Sequence, residues 1–239
     1  MKAVILAGGQ GLRLRPFTSV LPKPLMPIGD RPILDIILRQ LHHYGVTDVT
    51  IALNYLGSLI QAYVDQSEIG QKLNVTYHWE DKPLGTAGAI GTIPNLDTPF
   101  FVLNGDILTT LDFAAMHAAH VAADADLTVG TISTTVQIEL GVLNIDDSSL
   151  IVGYDEKPTK TYSASMGIYV YSPQAVKRIP PGEYLDAPSL VLDLIGTKKK
   201  VLAHKPDCQW IDIGNRGEHE RASEIFMQDQ SVFLPSHKP

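Results

Sequence analysis

The sequence predicts an α/β fold built on a doubly wound, mostly parallel mixed sheet. Through the first half of the chain, short apolar and β-branched runs alternate with longer segments whose apolar residues recur at helical spacing. This alternation predicts parallel strands joined by right-handed crossovers, with helices on both faces of the sheet. The second half is strand-rich, with turns between strands that follow each other in quick succession.

The first half begins with the apolar run Lys2–Leu6, which ends at glycines and predicts a buried strand. After a glycine-rich loop, apolar residues recur at helical spacing from Ile33 until Gly45 ends the pattern. The later elements predicted in this half are a strand, a helix, a strand, a short Ala/Gly-rich helix and a strand, at residues 49–53, 56–64, 74–79, 86–93 and 99–103.

The second half contains no low-complexity linker and no repeat. We therefore expect one domain over residues 1–239, with a first half of about 1–125 and a strand-rich half of about 126–239. The elements predicted after Ala123 are four strands, a helix, a strand and a polar helix, at residues 127–132, 141–145, 150–155, 164–171, 187–194, 208–213 and 217–227.

The composition excludes several classes of protein. With 239 residues, of which 44% are hydrophobic, the chain can bury a core and is not expected to be disordered. It has no apolar run near the ~20 residues of a membrane span, and Gly8 follows the start too soon for a signal peptide. The single cysteine, Cys208, predicts a buried apolar side chain without a disulfide or a thiolate zinc site. We expect a cytoplasmic protein that does not bind membranes.

The charge of the chain is unevenly distributed. A net charge of −7 argues against a surface that coats nucleic acid. The first 29 residues reverse this trend, because they contain Lys2, Arg13, Arg15 and Lys23 and no acidic residue. A local cationic region on an acidic protein predicts a small anionic ligand.

The glycine-rich loop after the first strand predicts a phosphate site. The backbone N–H groups of Gly8, Gly9 and Gly11 can approach a phosphate closely, and Arg13 and Lys23 supply fixed charge. The loop does not match the dinucleotide-binding fingerprint, which needs a small residue at position 14, and no Gly-Lys-Ser/Thr follows to form a Walker A loop.

Two carboxylates predict a metal site. Asp106 follows the predicted strand at 99–103, at the edge where open α/β sheets bind ligands. Asp212 lies between apolar residues, where an unpaired carboxylate would be costly to bury. Because Mg²⁺ binds carboxylate and phosphate oxygens, these two residues could share one ion. By contrast, His117 and His120 stand one helical turn apart without a third ligand, and we interpret them as surface residues.

Several motifs together resemble the sugar-1-phosphate nucleotidylyltransferase family. They occur in the family's order, at family-like intervals, and extend over nearly the whole chain. The motifs are Leu6-Ala7-Gly8-Gly9-Gln10-Gly11-Leu12-Arg13-Leu14-Arg15-Pro16, Pro22-Lys23-Pro24-Leu25-Met26-Pro27, Leu84-Gly85-Thr86-Ala87-Gly88, Asn104-Gly105-Asp106, Glu156-Lys157-Pro158 and Trp210-Ile211-Asp212-Ile213-Gly214.

The resemblance implies a Rossmann-like nucleotidyltransferase fold and an enzyme of EC class 2.7.7. Such an enzyme transfers a nucleoside monophosphate from an NTP to a sugar 1-phosphate and releases pyrophosphate, with Mg²⁺ as cofactor. The resemblance also implies catalytic roles for Arg13 and Lys23 at the phosphates, and Mg²⁺ ligation by Asp106 and Asp212. Its implied nucleotide-binding residues are Leu6, Ala7, Gly8, Gly9, Gly11, Arg13, Lys23, Glu80, Gly85, Thr86, Asn104 and Asp106.

The resemblance assigns the sugar phosphate to the strand-rich half. Lys157 would contact the phosphate and Glu156 the sugar hydroxyls, with Gly141 and Gly167 in the same subsite. The sequence departs from the family pattern at Leu12, where a small hydroxyl residue is frequent, and at Ser165, where many members have Asn.

Alternatives remain for the identity of the NTP and for the class of protein. The loop 80–88 resembles mannose-type guanylyltransferases more than thymidylyltransferases, which favours GTP over UTP or dTTP. A nucleotide-sugar-dependent glycosyltransferase would usually carry Asp-x-Asp where this chain has Asn104-Gly105-Asp106. A regulatory nucleotide-binding module is disfavoured because Lys23, Lys157 and both aspartates are all present.

Overall fold

A seven-stranded mixed sheet organises the computed structural model, which describes residues 1–234. The strands of this part of the chain are β1 Lys2–Leu6, β2 Pro27–Ile28, β3 Arg31–Pro32, β4 Asp48–Leu53, β5 Asn74–Trp79, β6 Phe100–Asn104, β7 Ile107–Thr109, β8 Leu127–Gln137, β9 Val142–Ile145, β10 Ile151–Asp155, β11 Thr159–Tyr171, β12 Val201–His204 and β13 Trp210–Asp212.

Helices connect and cover these strands. They are α1 Ile33–His43, α2 Gly57–Gln66, α3 Gly85–Gly88, α4 Phe113–Ala123, α5 Pro173–Val176, α6 Ala187–Gly196, α7 Arg216–Gln228 and α8 Gln230–Phe233. None of the helices within residues 1–234 combines the length and the apolar character that crossing a bilayer requires.

The strand order in the central sheet is β12-β8-β11-β6-β1-β4-β5. Neighbouring strands are parallel throughout, except that β11 is antiparallel to both β6 and β8. Strands from both halves of the chain therefore belong to one sheet. The predicted α/β class with a mostly parallel mixed sheet is confirmed.

Both faces of this sheet are covered, as a doubly wound fold requires. Along β1, Ala3 and Ile5 face a core that includes apolar residues of α1, α4 and α7, whereas Val4 faces a second core formed with α3 and α6. All three side chains are at most 2% exposed. Since successive side chains of a strand point to opposite faces, a strand buried on both faces is a continuous apolar run, which is the pattern in the sequence.

The sheet has a topological switch point beside β1. The chain proceeds from β1 to β4 and β5 on one side, and then returns to place β6 on the other side. At the carboxyl ends of the three central strands, Leu6 lies in register with Ala52 of β4 and with Asn104 of β6. Open α/β sheets bind ligands in the crevice formed at this position.

Two smaller pairings extend from the central sheet. The strands β7 and β13 pair antiparallel and place Asp212 opposite Ile107, directly after Asp106. The strands β8 and β11 remain paired from Thr131–Ser165 to Gln137–Thr159, past the part of β11 that pairs with β6. This two-stranded ribbon leads into the β9–β10 hairpin.

The helix predicted at 86–93 is not one continuous α-helix in the structure. The structure has one α-helical turn, α3, followed by a 3₁₀ turn at Ala89–Thr92. A Cβ on Gly88 would lie 2.4 Å from the carbonyl oxygen of Glu183, so the segment before α6 packs directly on this backbone. Small residues here permit a close crossing of two chain segments, which a helical period cannot predict.

The interpretation of His120 as a surface residue is wrong. Its side chain is 1% exposed, because α4 packs His120 against β8. The imidazole Nδ1 lies 2.8 Å from the Thr128 hydroxyl, and Nε2 is buried without a hydrogen-bond partner in residues 1–234. Burial lowers the pKa of His120 below its ordinary value. His117, one turn earlier, is partly exposed, and no cluster of metal-ligating side chains forms in the described part of the chain.

Buried neutral His120 predicts a loss of stability in mild acid. As pH falls through about 6.5, the unfolded chain gains a proton at this residue before the folded chain does, so the free energy of unfolding decreases. The loss levels off once pH passes below the lowered folded-state pKa. When the free energy of unfolding is measured in urea at pH 7 and pH 5.5, that of His120→Gln should depend less on pH than that of the wild type. His117→Gln is the control and should keep most of the wild-type dependence, because burial is the larger cause of the lowered His120 pKa and the charge of His117 the smaller one. Equal slopes for all three proteins would contradict the prediction.

Cys208 is half-buried instead of fully buried as predicted. It packs against the core, and its Sγ lies 3.9 Å from the Thr109 hydroxyl. Burial raises the pKa of the thiol, which keeps it protonated and unreactive near neutral pH.

Candidate active site

A cavity of about 670 Å³ opens at the switch point of the sheet. It is lined by Leu6, Ala7, Gly8, Gly9, Gly11, Leu12, Arg13, Lys23, Pro24, Asn54, Glu80, Pro83, Leu84, Gly85, Thr86, Asn104, Gly105, Asp106, Tyr184, Asp186 and Gly214. All twelve residues that the sequence predicts for nucleotide binding are among them. They come from four separate segments, which the carboxyl ends of the parallel strands bring to one edge.

The glycine-rich loop presents a row of free backbone donors. The N–H groups of residues 8–12 have no hydrogen-bond acceptor among the described residues, although Ala7 before them and Leu14 after them do. Gly11 has a φ of +60°, a conformation that glycine adopts without steric cost. A run of unpaired N–H groups at the wall of a cavity is suited to bind an anion with several oxygens, such as a triphosphate.

Two of the basic residues of this region reach the cavity. Arg13 and Lys23 line it, whereas Arg15 is exposed and lies outside it. Lys23 is 9% exposed, and its ammonium forms an ion pair with Asp106. No acidic residue is near these basic residues in the sequence, but the fold brings Asp106 next to Lys23 from 83 positions further along the chain.

Asp106 and Asp212 lie at adjacent strand ends. The backbone N–H of Ile213 donates to the Asp106 carbonyl at 3.1 Å, which joins the two segments. Asp106 uses one carboxylate oxygen for Lys23, and its other oxygen, Oδ1, is buried without a hydrogen-bond partner in residues 1–234. Partial burial of the carboxylate, and then the charge of Asp106, raise the pKa of Asp212, while Lys23 and Arg13 oppose this shift.

These carboxylates fit a hard divalent cation. Mg²⁺ is typically held by one or two carboxylates together with substrate phosphates and water. The unpaired Asp106 Oδ1 and the crowded negative charge at Asp212 are both features that a cation would relieve. In the described residues no third acid or histidine joins them, so the protein alone supplies only a partial coordination shell.

Glu80 lines the cavity and directly follows β5, which ends at Trp79. Its Oε2 accepts the Leu84 N–H at 3.1 Å, and its Oε1 faces Gly8 across the cavity wall. Burial raises the pKa of Glu80, and the Leu84 hydrogen bond partly opposes that shift. Asn54 supports this arrangement by donating to the Glu80 carbonyl at 3.0 Å.

The sequence prediction did not include several lining residues. Asn54 follows β4, and its place at the carboxyl end of a parallel strand was a usable signal. Tyr184 and Asp186 carried no such signal, since they lie about a hundred positions from the loop they meet. Leu185 brings them there: its backbone exchanges hydrogen bonds of 2.9 Å with residues 84, 87 and 88, and the Ala187 N–H donates to the Thr86 hydroxyl at 2.8 Å.

None of the four predicted sugar-phosphate residues lines the cavity. Gly167 lies beside the cavity, where a Cβ would come within 2.6 Å of Asn104 Nδ2. Gly141, Glu156 and Lys157 are exposed, on the segments that flank the β9–β10 hairpin, and they do not line the cavity. Lys157 Nζ lies 4.0 Å from a carboxylate oxygen of Glu139. Their contact with a sugar phosphate therefore stays a prediction.

Comparison with known families matches residues 2–228 to the model described as nucleotidyl transferase. The chain belongs to this family. The match covers all segments that line the cavity, and it confirms the resemblance to sugar-1-phosphate nucleotidylyltransferases. It also assigns the chain to a family of enzymes.

Relatives in the nucleotidyl transferase family differ in the nucleotide they are named for. The chain is 32% identical to a mannose-1-phosphate guanyltransferase of Schizosaccharomyces pombe, over 100% of this chain and 67% of that protein. It is also 32% identical to a UTP–glucose-1-phosphate uridylyltransferase of Synechocystis, over 93% of this chain and 62% of that protein. The chain thus spans about two thirds of the length of these relatives.

Solved structures of the family share the fold. The HddC protein of Yersinia pseudotuberculosis, one structure of which is complexed with GMP-PN, matches with a TM-score of 0.72 and 26% identity, over 94% of this chain and 99% of that one. A putative glucose-1-phosphate thymidylyltransferase of Bacillus anthracis matches with a TM-score of 0.72 and 25% identity, over 94% of each chain.

Proposed function

We propose that the chain transfers a nucleoside monophosphate from an NTP to a sugar 1-phosphate and releases pyrophosphate. The observation that carries the proposal is the cavity at the switch point, where free loop N–H groups, two cationic side chains and the Asp106 carboxylate line one space, with the Asp212 carboxylate beside Gly214 at its edge. Membership in the nucleotidyl transferase family and the names of the relatives support the same reaction.

In this reaction the protein positions two anions and neutralises their charge. An oxygen of the sugar phosphate attacks the α-phosphorus of the NTP, and the bond from that phosphorus to the β-phosphate oxygen breaks. The phosphate oxygen is already ionised at neutral pH, so no protein nucleophile is needed. The N–H groups of residues 8–12 hold the triphosphate, and Arg13 and Lys23 neutralise the charge that grows on the departing pyrophosphate.

Asp106 and Asp212 are the residues that would hold Mg²⁺. When bound, the ion neutralises phosphate charge and aligns the reacting groups. Lys23 forms an ion pair with one oxygen of Asp106 and leaves Oδ1 available. Lys23 can then turn to the pyrophosphate as substrate binds, because its long side chain needs only to exchange one anionic partner for another.

Glu80 supports GTP as the NTP. An ionised carboxylate only accepts hydrogen bonds, and the Watson–Crick edge of guanine offers two adjacent donors, N1–H and the N2 amino group. Uracil and thymine offer one N–H between two carbonyl oxygens, which a carboxylate repels. With a volume of about 670 Å³, the cavity is also large enough for a purine base. UTP and dTTP remain the alternatives, since relatives are named for uridylyl and thymidylyl transfer.

A substrate matrix tests this proposal. Purified protein with Mg²⁺ is incubated with each of GTP, UTP, dTTP, ATP and CTP against a panel of sugar 1-phosphates, and pyrophosphate release is measured. We expect release that requires both substrates and is largest with GTP. Transfer of the sugar from a nucleotide sugar to an acceptor alcohol, without release of pyrophosphate, would instead indicate a glycosyltransferase.

The expected cytoplasmic location stays a prediction.

Glu80→Gln should shift the preference among bases. A neutral amide presents one donor and one acceptor, which match the N3–H and O4 of uracil or thymine better than the guanine edge. We expect the ratio of kcat/KM for GTP to that for UTP to fall about 10- to 100-fold, the scale of one bidentate base contact. Asp81→Asn, at the adjacent exposed acid, is the control and should leave the ratio unchanged. An unchanged ratio in Glu80→Gln would contradict the assignment.

Lys157→Ala should weaken the use of sugar 1-phosphate more than that of NTP. Lys157 is exposed on the segment between β10 and β11, and no cavity contact ties it to the NTP. We expect a rise in KM for sugar 1-phosphate that clearly exceeds the rise in KM for NTP. Lys160→Ala, which removes an exposed lysine of β11, is the matched control. Equal effects of Lys157→Ala on both KM values would refute the role.

A further inference from the structure

Thr18 is a buried hydroxyl residue beneath the glycine-rich loop. It lies in a 3₁₀ turn between the exposed residues Phe17 and Ser19, yet it is only 1% exposed and does not line the cavity. Its Oγ1 donates a hydrogen bond to the Gly11 carbonyl oxygen at 2.8 Å. Its methyl group packs on the same residue, since a Cβ on Gly11 would lie 2.9 Å from Thr18 Cγ2.

The Gly11 carbonyl is held by two donors. Besides the Thr18 hydroxyl, the Leu14 N–H donates to it at 2.9 Å. The peptide bond between Gly11 and Leu12 is planar and trans, so the Leu12 N–H points opposite to this carbonyl. That N–H has no acceptor in residues 1–234, and both residues of the peptide line the cavity. Fixing the carbonyl therefore fixes the direction of one free donor.

Tyr55 supports Thr18 from the neighbouring loop. Its hydroxyl donates to the Thr18 carbonyl oxygen at 3.1 Å. Tyr55 follows β4 and is adjacent to Asn54, which lines the cavity. Hydrogen bonds thus connect the loop after β4, through Thr18, to the glycine-rich loop.

We infer that Thr18 is a positioning residue, which holds the Gly11–Leu12 peptide so that its N–H is ready for the triphosphate and for pyrophosphate. The inference rests on the proposed function of the cavity. Thr18 acts through Gly11 and touches no substrate itself. A donor that is already oriented needs no reorganisation when charge develops, which is why loss of such orientation affects anion binding and turnover more than stability.

The test compares Thr18→Val, which keeps the shape but lacks the hydroxyl, with Thr18→Ser, which keeps the hydroxyl. We expect Thr18→Val to weaken pyrophosphate binding in calorimetry and to lower kcat/KM for NTP, each about 10-fold. The KM for sugar 1-phosphate should change less than twofold, and Thr18→Ser should restore most of the loss. Thr131→Val, which removes a similar hydroxyl-to-carbonyl bond in β8, is the control for general destabilisation.

Further arms separate the possible outcomes. If Thr18→Val does not fold, Tyr55→Phe removes the supporting hydroxyl and should give a smaller loss in the same direction. Wild-type affinity for pyrophosphate in Thr18→Val, or equal losses in Thr18→Val and Thr18→Ser, would overturn the inference while leaving the proposed function intact. A wild-type protein that binds pyrophosphate but transfers no nucleotide would overturn the proposed function, and one that binds neither NTP nor pyrophosphate would overturn both.

Discussion

Asp106→Asn and Asp212→Asn should each reduce turnover to near background. Each change removes one charged oxygen ligand from a site where the protein offers only two carboxylates in its described part. Several kcal/mol of charge stabilisation would be lost, which corresponds to about 10³-fold or more in kcat. The two substitutions preserve side-chain size, so the loss reflects charge and not packing.

Metal binding provides an independent readout for this prediction. Titration with Mn²⁺, followed by its electron paramagnetic resonance signal, should show weakened binding in both variants in the presence of pyrophosphate. Asp207→Asn removes an exposed acid just before β13 and should behave as wild type in both assays. Wild-type turnover of either active-site variant at limiting Mg²⁺ would show that its carboxylate is not a ligand.

Arg13→Ala should lower kcat by about 10²-fold or more, the scale of removing one preorganised donor of charge. Arg13 lines the cavity, and its guanidinium lies beside Gly214 together with the Asp212 carboxylate. Some increase in KM for NTP is also expected, because Arg13 contacts the ground-state phosphates as well. The fall in kcat is the diagnostic effect, since it reports charge stabilised only in the transition state.

Arg15→Ala is the matched control for this prediction. Arg15 belongs to the same cationic loop, but it has an extended backbone before Pro16, is exposed and lies outside the cavity. Its loss should affect kcat far less than the loss of Arg13. Steady-state kinetics of both variants at saturating Mg²⁺ decide between them, and a larger kcat defect in Arg15→Ala would refute the assignment.

The parallel strands of the central sheet were predictable because burial on both faces requires continuous apolar runs. The run Lys2–Leu6 coincides with β1, and the run 99–103 overlaps β6, Phe100–Asn104. The helical spacing from Ile33 likewise predicts α1, which ends just before Gly45. By contrast, the small residues of 86–93 pack closely against another segment, and their structure depends on that tertiary contact.

The candidate site was predictable where it follows a strand directly. The glycine-rich loop after β1 and Asp106 after β6 are of this kind, since both stand at the carboxyl edge of the sheet. The ion pair between Lys23 and Asp106 joins positions far apart in the chain, and no local pattern predicts it. The same holds for Tyr184, which reaches the cavity only through the backbone pairing of Leu185. His120 likewise gave no signal of burial, because a polar ring in an Ala-rich helix resembles a surface residue.

The central claim is that this cavity transfers a nucleoside monophosphate to a sugar 1-phosphate. The most direct measurement follows label from [α-³²P]NTP and [γ-³²P]NTP in parallel, using the NTP that the substrate matrix selects. With sugar 1-phosphate and Mg²⁺ present, we predict that the α label appears in a phosphatase-resistant nucleotide sugar and the γ label in pyrophosphate, in equal amounts. Release of γ label as inorganic phosphate, or no α label in a sugar product, would contradict the account.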